Sequence, residues 1–327
     1  MKLQLFRDLL VGFALLHATY ALSAETSTDY PNRAVRLIVP YPAGGVTDVL
    51  ARTLTGKLTT RWGQPVIVEA RGGASGNIGS NFVAKAAPDG YVLLFGTAST
   101  HTINPALFKN LPFDPVRDFI PVTIVAQIPN VLLVHPSLGV RSVHELIALA
   151  KASPGTLNYA SSGNGTTTHL AGELFKLRAN VDIVHVPYKG SSVAMQDLLG
   201  GRITIMFENI PTTVQWVKNG RLLALAVTGM ARSPAFPEVP TVAEAGVSNF
   251  KMSGWSGVFA PAGTPIEIIN KIYQSISEVI ALPDVREAFL NNGAEPLGTS
   301  PQEMAQRMQS ELIEWREVVR ISGATVD

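Results

Sequence analysis

The sequence predicts an α/β protein with two domains, each built on a mainly parallel sheet flanked by helices. Its 327 residues, 46% of them hydrophobic, are enough for two domains with a core each. In both halves of the chain a short β-rich run, a Gly-rich or polar loop and an amphipathic helix follow one another repeatedly. This alternation is typical of parallel strands joined by helical crossovers.

In the first half, Gly and Pro bound each predicted strand. The first helix is predicted from apolar residues at helical spacing, and Thr47 and Asp48 occupy its first turn, where capping and acidic side chains suit unpaired N–H groups. Gly63 ends this helix. The predicted segments are strand Ala34–Val39, helix Val46–Trp62, strand Val66–Glu69, a helix through Phe82 and Ala86, and strand Tyr91–Phe95.

The middle of the chain repeats this pattern. Polar or Gly-rich loops follow the predicted strands, and loops at the carboxyl ends of strands are where open α/β sheets bind ligands. The predicted segments are a strand ending at Ala160, the loop Ser161–Thr168, a helix with Leu170, Leu174 and Phe175, strand Ile183–Val186, helix Val193–Leu199, strand Ile203–Phe207, helix Thr213–Lys218 and strand Leu222–Val227.

Two β-rich runs are predicted to connect the halves. They are Phe119–Val134, which Pro121 and Pro129 interrupt, and Phe250–Pro261, which returns the chain to three closing amphipathic helices near residues 267–282, 283–291 and 301–321. Paired crossings predict one discontinuous domain, residues 25–126 plus 252–327, and one inserted domain, residues 127–251.

The N-terminus is typical of a secretory signal peptide spanning residues 1–24. Lys2 and Arg7 provide a basic start, Leu9–Leu16 is apolar, and Ala24 ends the segment with a small residue. A membrane anchor is the alternative, but a span requires about 20 apolar residues and this run is shorter. The sequence therefore predicts export to the periplasm.

Composition and spacing exclude several classes of function. A net charge of +1 provides no basic surplus for nucleic acid, and the absence of Cys excludes disulfides and thiolate sites. The histidines have no metal-ligand spacing, and Gly73, Gly76 and Gly79 match neither the dinucleotide fingerprint nor the P-loop. We therefore expect no metal, no cofactor and no nucleic-acid partner.

Three Gly-rich loops precede predicted helices, where backbone N–H groups and the helix dipole favour a carboxylate. They are Ala43–Gly45, Gly73–Gly76 and Ser162–Thr166, with hydroxyls from Thr47, Ser75, Thr166 and Thr167. Each loop alone is equally consistent with ordinary turn chemistry, but three in one chain favour a binding site.

Other side chains near these loops leave alternatives open. Asp48, Asp197 and Glu208 suit capping or loop orientation, and no proton transfer between them is evident. Tyr41 and Trp255 suit either a cleft wall or ordinary packing. The absence of a G-x-S-x-G elbow argues against a serine hydrolase.

Five motifs occur along the chain in a specific order. They are Val39-Pro-Tyr-Pro-Ala-Gly-Gly-Val-Thr-Asp48, Gly73-Ala-Ser-Gly-Asn-Ile-Gly79, Tyr159-Ala-Ser-Ser-Gly-Asn-Gly-Thr166 with His169-Leu170, His185-Val-Pro-Tyr-Lys-Gly190 and Ala260-Pro-Ala-Gly-Thr-Pro265. Together they resemble the substrate-binding receptors of tripartite tricarboxylate transporters, often called the Bug family, from about Tyr30 to the C-terminus.

The resemblance implies an α/β, two-lobed periplasmic binding protein of type II. Its lobes would close over a di- or tricarboxylate, an acidic amino acid or an aromatic acid, held mainly by backbone amides, small hydroxyls and waters. It implies a monomer without catalytic activity that meets membrane permease subunits transiently. The ligand-binding residues carried over by matching motif are Tyr41, Gly45, Thr47, Asp48, Ala74, Ser75, Thr97, Ser99, Ser162, Gly163, Thr166, Thr167 and Glu208.

The sequence departs from the family pattern in two places. The second loop has Ala70, Gly72 and Ser75 where Asn, Pro and Gly are usual, and Glu208 stands where Asp is common. Two alternatives to transport also remain: a ligand sensor that docks on a signalling partner, and a periplasmic enzyme on the same scaffold.

Overall fold

The computed structural model describes residues 29–322, which form an α/β fold. The predicted signal peptide lies outside the described residues. The strands are β1 (Val35–Val39), β2 (Val66–Ala70), β3 (Val92–Thr97), β4 (Phe119–Val134), β5 (Asn158–Ser161), β6 (Val184–Pro187), β7 (Ile205–Asn209), β8 (Leu223–Val227), β9 (Ser253–Pro261) and β10 (Glu295–Pro296).

The helices flank these strands, as the alternating pattern predicts. They are α1 (Val46–Trp62), α2 (Asn77–Ala84), α3 (Asn104–Leu107), α4 (Val143–Ala152), α5 (Thr167–Ala179), α6 (Ser191–Leu199), α7 (Val214–Lys218), α8 (Ile266–Ala281), α9 (Pro283–Asn291) and α10 (Pro301–Ser322). Within residues 29–322, none of the helices combines the length and the apolar character that a membrane span requires.

The strands form one mixed sheet in the order β2-β1-β3-β9-β4-β7-β5-β6, and β8 and β10 also pair with β4. The outer strands are parallel: β1 pairs with β2 and β3, and β5 pairs with β6 and β7. The two crossing strands, β4 and β9, are antiparallel to each other and to their other neighbours. The predicted α/β class with two lobes is confirmed, and the antiparallel strands lie where the lobes join.

We call the part of the sheet with β1, β2, β3, β9 and β10 the first lobe, and the part with β5, β6, β7 and β8 the second lobe. Strand β4 belongs to both. Its first part pairs with β9 and its last part, Asn130–Val134, pairs with β7. The exact domain boundaries near residues 126 and 251 stay a prediction.

The proline-containing run that the sequence shows as interrupted is one continuous strand of 16 residues. Pro121 lacks an N–H for the ladder, and the pairing with β9 shifts register between Pro121 and Thr123. Pro129 pairs with Ser253, the first residue of β9, so it lies at the end of that ladder. Both prolines therefore occupy positions where the missing backbone N–H removes little of the hydrogen bonding between β4 and β9.

Three clusters of buried apolar side chains hold the sheet and helices together. One covers α1 and α8 on the first lobe, and another covers α6 on the second lobe. The third is shared, because it joins Ile38 and Leu94 of the first lobe to Phe175 and Phe207 of the second, together with Trp315 of α10. Helix α10 thus packs against both lobes.

Candidate functional site

A cavity of about 480 Å³ opens between the two lobes. Residues from both lobes and from the crossing strands line it. They are Tyr41, Pro42, Ala43, Gly45, Val46, Thr47, Ser75, Thr97, Ala98, Ser99, Ile128, Ser162, Asn164, Gly165, Thr166, Thr167, Asn209, Gly254, Trp255 and Ser256.

No residue of this lining, all of it within the described part of the chain, carries a charged side chain. The polar groups facing the cavity are hydroxyls, amides and the backbone. The remainder is apolar, including Ile128 and Trp255. Residues 29–322 also contain no group of three or more His, Cys, Asp or Glu side chains that could hold a metal ion. The cavity therefore offers neutral hydrogen-bonding groups and apolar surface, and no charged side chain.

The first lobe presents the N-terminus of α1 to the cavity. Gly45 caps this 17-residue helix without a side-chain hydrogen bond. The N–H groups of Gly45, Val46 and Thr47 donate no hydrogen bond within the described part of the chain, as is usual for a first helical turn. These donors and the helix dipole favour a negatively charged ligand group at this end.

Asp48 is buried in the first turn of α1 and holds the loop before the helix by hydrogen bonds. Its Oδ2 accepts hydrogen bonds from the Gly44 N–H at 3.0 Å and from Arg52 Nε at 2.9 Å. The hydrogen bond from Arg52 is the main cause that holds the pKa of the Asp48 carboxyl below its usual range. Asp48 thus neutralises Arg52 and fixes the loop that precedes the helix.

The second Gly-rich loop turns sharply at the cavity edge. Ala74 and Ser75 have φ values of 46° and 53°, in the left-handed region that favours glycine. The Ser75 carbonyl accepts a hydrogen bond from Asn104 Nδ2 at 3.0 Å, which fixes this conformation. The exposed Ser75 hydroxyl donates no hydrogen bond in the described structure and lines the cavity, whereas Ala74 does not line it.

The end of β3 adds a pair of hydroxyls. The Tyr41 hydroxyl lies 2.8 Å from Thr97 Oγ1, and the Thr97 N–H donates to Thr100 Oγ1 at 3.0 Å. A π-helical turn, Ser99–Ile103, follows and brings Ser99 to the cavity. Burial raises the pKa of Tyr41, so the phenol stays protonated, and its hydroxyl is already paired with that of Thr97.

The second lobe presents the N-terminus of α5, and here the two neighbouring threonines differ. Thr166 is the N-cap: its Oγ1 accepts from the His169 N–H at 3.3 Å and donates to the Gly163 carbonyl at 2.7 Å. Its single hydroxyl hydrogen is therefore committed to the loop. Thr167 Oγ1 forms no hydrogen bond within the described residues and lines the cavity. Thr167, rather than Thr166, has a hydroxyl free for a ligand.

A stack of rings supports the loop before α5. The rings of His169 and His185 are stacked with centroids 3.9 Å apart, and Tyr159 stacks on His185 at 4.9 Å. His169 Nδ1 accepts from the Gly165 N–H at 3.1 Å, and His185 Nε2 lies 2.7 Å from Ser161 Oγ. Burial lowers the pKa of His169 to about 4, so its Nδ1 stays an acceptor at neutral pH.

Nine of the residues predicted from the sequence lie on the cavity wall, and four do not. The nine are Tyr41, Gly45, Thr47, Ser75, Thr97, Ser99, Ser162, Thr166 and Thr167. The other four, Asp48, Ala74, Gly163 and Glu208, lie outside the lining. Whether any of the thirteen contacts a ligand stays a prediction.

Glu208 and Gly163 have structural contacts of their own. Glu208 is fully buried, and its Oε1 accepts from the N–H of Asn209 at 2.7 Å and from Asn209 Nδ2 at 3.1 Å. Burial raises the pKa of Glu208. Strand alternation in β7 brings the next residue, Asn209, to the cavity instead. The Gly163 carbonyl accepts a hydrogen bond from the Thr166 hydroxyl.

The cavity floor, which β9 and the middle of β4 supply, was only partly predictable: Trp255 was left open between a cleft wall and packing, and Gly254, Ser256 and Ile128 were not predicted as site residues. Gly254, Trp255 and Ser256 follow Ser253 at the start of β9, and Ile128 lies on β4. The Trp255 indole Nε1 donates to Glu311 Oε2 of α10 at 2.8 Å, which fixes the ring. A Trp-Ser pair in a crossing run was the only signal available, and it is equally consistent with packing.

Folding stability is expected to fall as the pH drops from about 6.5 to 5. His101 is fully buried, stacks on Phe259 at 3.8 Å, and burial lowers its pKa to about 3. In the unfolded chain the His101 imidazole takes up a proton near pH 6.5, whereas in the folded chain it stays neutral at that pH. At pH 5 this difference lowers the free energy of unfolding by about 2 kcal/mol.

Urea unfolding of the wild type and of His101→Phe at pH 7, 6 and 5 measures this contribution. The variant keeps the ring stack, and between pH 7 and 5 its free energy of unfolding should fall by about 2 kcal/mol less than that of the wild type. Equal pH dependence in the two proteins would show that His101 titrates normally in the fold.

Comparison with known proteins places this geometry among solute receptors. A family model described as "Tripartite tricarboxylate transporter family receptor" matches residues 50–323. The chain is 40% identical to Protein BugT of Bordetella pertussis over 318 residues, which cover 97% of this chain and 98% of that protein. It is 38% identical to a UPF0065 protein of Pseudomonas sp. strain P51 over 96% of this chain and 93% of that protein.

Solved structures agree with these relatives. The R. palustris protein Rpa4515, solved with adipate, has a TM-score of 0.79 and 38% identity, and the match covers 90% of this chain and 99% of that one. MatC from Rhodopseudomonas palustris, solved with bound malate, has a TM-score of 0.75 and 33% identity over 89% of this chain and 100% of that one. Periplasmic binding protein BugD has a TM-score of 0.75 and 33% identity, with 90% of this chain and 99% of that one covered.

Proposed function

The chain belongs to the receptor family of the tripartite tricarboxylate transporters, and on this premise we propose that it binds a small carboxylate and delivers it to membrane permease subunits. The observation that carries the proposal is the cavity between the lobes, whose lining offers two helix N-termini and no charged side chain. Such a site suits an organic anion held by backbone amides. Similar proteins solved with adipate and with malate support this class of ligand.

The grip on the ligand carboxylate would come from both lobes. In the first lobe, the free N–H groups are those of Gly45, Val46 and Thr47, at the end of α1 that borders the cavity. From the second lobe, the N-terminus of α5 contributes Thr167 and its hydroxyl. The remaining predicted site residues would orient these groups or contact the rest of the ligand.

Binding would act by shifting a population between open and closed forms. A ligand that bridges two lobes binds the closed form more tightly, and it favours closure by that difference in affinity. Strands β4 and β9, which cross between the lobes, are the natural hinge. We propose the hinge boundaries near residues 126 and 251 on this basis. The closed receptor would then be the form that a permease recognises.

The proposal includes the setting of this receptor. Removal of residues 1–24 as a signal peptide would release a monomeric protein into the periplasm, which is also where BugD is described. No chemical step is proposed, because the lining contains no paired acid and base.

A thermal-shift screen of small carboxylates on the mature protein tests the function. At a hundredfold excess over its dissociation constant, a true ligand stabilises the fold by about 2.7 kcal/mol, which raises the melting temperature by several degrees. The matched control for each acid is its uncharged amide, which should give no shift. A screen in which neutral sugars or cations shift the melt and carboxylates do not would refute the proposal.

A further inference from the structure

We propose that Ser256 is a specificity-determining residue that recognises an uncharged hydrogen-bonding substituent, a hydroxyl or a carbonyl, on the carbon chain of the carboxylate. The inference rests on the proposed function, since it concerns the same cavity. It adds a second recognition point, on the cavity floor, to the amide grip at the helix ends.

The Ser256 hydroxyl is buried and has no partner. The residue is 0% exposed, and its Oγ forms no hydrogen bond. Other buried side-chain polar atoms in the described part of the chain also lack partners, but Ser256 is the one among them that lines the cavity. A buried hydroxyl without a partner destabilises a fold. A bound ligand that supplies the partner would therefore gain affinity.

The hydroxyl is held on a strand that is paired on both sides. Ser256 lies in β9 between two strands, opposite Thr97 of β3 and Ala126 of β4. Its neighbour Trp255 is 1% exposed and is fixed by the hydrogen bond to Glu311. Ser256 pairs with β3 of the first lobe, which also carries α1, so the hydroxyl stands at a set position relative to the α1 end of the carboxylate grip. A set position is what selection of a substituent on a ligand requires.

The surroundings identify the substituent as uncharged. One serine hydroxyl supplies a single donor, and the lining has no cation nearby. A second buried carboxylate needs several donors or a positive charge, whereas a hydroxyl or carbonyl needs one hydrogen bond. Trp255 and Ile128, which belong to the same lining, provide apolar surface for the carbon chain. The favoured ligand is thus a hydroxy or oxo acid.

Calorimetry with matched acids tests the proposal. The probes are 3-hydroxybutyrate against butyrate and malate against succinate, each titrated into the wild type and into Ser256→Ala. In at least one pair, the wild type should bind the hydroxylated acid about tenfold more tightly, as one hydrogen bond provides. In Ser256→Ala that ratio should fall to about one, with the affinity for the unsubstituted acid kept.

Ser277→Ala is the matched control. Its Oγ is also buried without a partner, but it lies on α8, away from the cavity. This variant should keep the wild-type ratio. The proposal is overturned if the wild type shows no preference in either pair, if Ser256→Ala keeps the ratio, or if both variants lose it. Failure of every acid to bind, both here and in the thermal-shift screen, would instead refute the proposed function itself.

Discussion

Thr167→Asp is expected to abolish carboxylate binding, with the dissociation constant rising at least about 100-fold, while the protein stays folded. The aspartate would stand in the first turn of α5, where the ligand carboxylate is proposed to lie. Two like charges about 4 Å apart repel by about 4 kcal/mol at the effective dielectric of a protein surface. The same charge favours the helix, because an acidic side chain at a helix N-terminus interacts well with the dipole.

Calorimetry gives the affinity of the best acid from the thermal-shift screen, and urea unfolding gives the stability without ligand. Thr167→Asn is the control for shape, since it matches aspartate in size and lacks its charge, and it should lose far less affinity. Gln302→Asp, in the first turn of α10 outside the cavity, controls for charge at a helix start and should bind normally. Normal binding by Thr167→Asp would place the ligand carboxylate elsewhere.

Gly172→Ala is expected to lower the free energy of unfolding by about 3 kcal/mol, the upper range for an overpacked core. A Cβ at this position in α5 would lie 2.1 Å from Cε2 of Tyr159. The Tyr159 ring is fully buried and cannot retreat, because its hydroxyl donates to Glu173 Oε1 at 2.7 Å and its ring stacks on His185. The displaced ring would also disturb the stack that supports the loop before α5.

Urea unfolding measures this loss against Gly56→Ala in α1. At Gly56 an added Cβ meets no atom within 4 Å, so this variant should gain up to about 1 kcal/mol from helix propensity. The double variant Gly172→Ala with Tyr159→Leu should recover part of the stability, because the smaller side chain relieves the contact. A Gly172→Ala protein as stable as the wild type would show that the helix and sheet separate easily here.

The sequence predicted the elements of the fold because their signals are local. Strands such as β1 and β3 are short apolar runs bounded by Gly or Pro, and α1 has helical periodicity ending at Gly63. Boundaries moved by one or two residues, as for β7, which begins at Ile205 and not at Ile203. Prolines made one strand look interrupted, because the sequence does not show where a ladder shifts register.

The candidate site was only partly predictable. Loops at strand ends before helices were visible in the sequence, and the structure brings Thr47, Ser75 and Thr167 to one cavity. The sequence did not separate Thr166 from Thr167, because both are hydroxyl residues at a helix start. The hydrogen bonds to Gly163 and His169 decide that Thr166 is the cap.

The sequence by itself determined the α/β pattern, the absence of thiol chemistry and the Gly-rich loops at helix starts, since each of these depends on residues close together in the chain. Only the tertiary structure decided which side chains form the cavity floor. Ser256 and Asn209 reach it through the register of crossing strands and through side-chain alternation. Those pairings join residues far apart in sequence, so no local pattern records them.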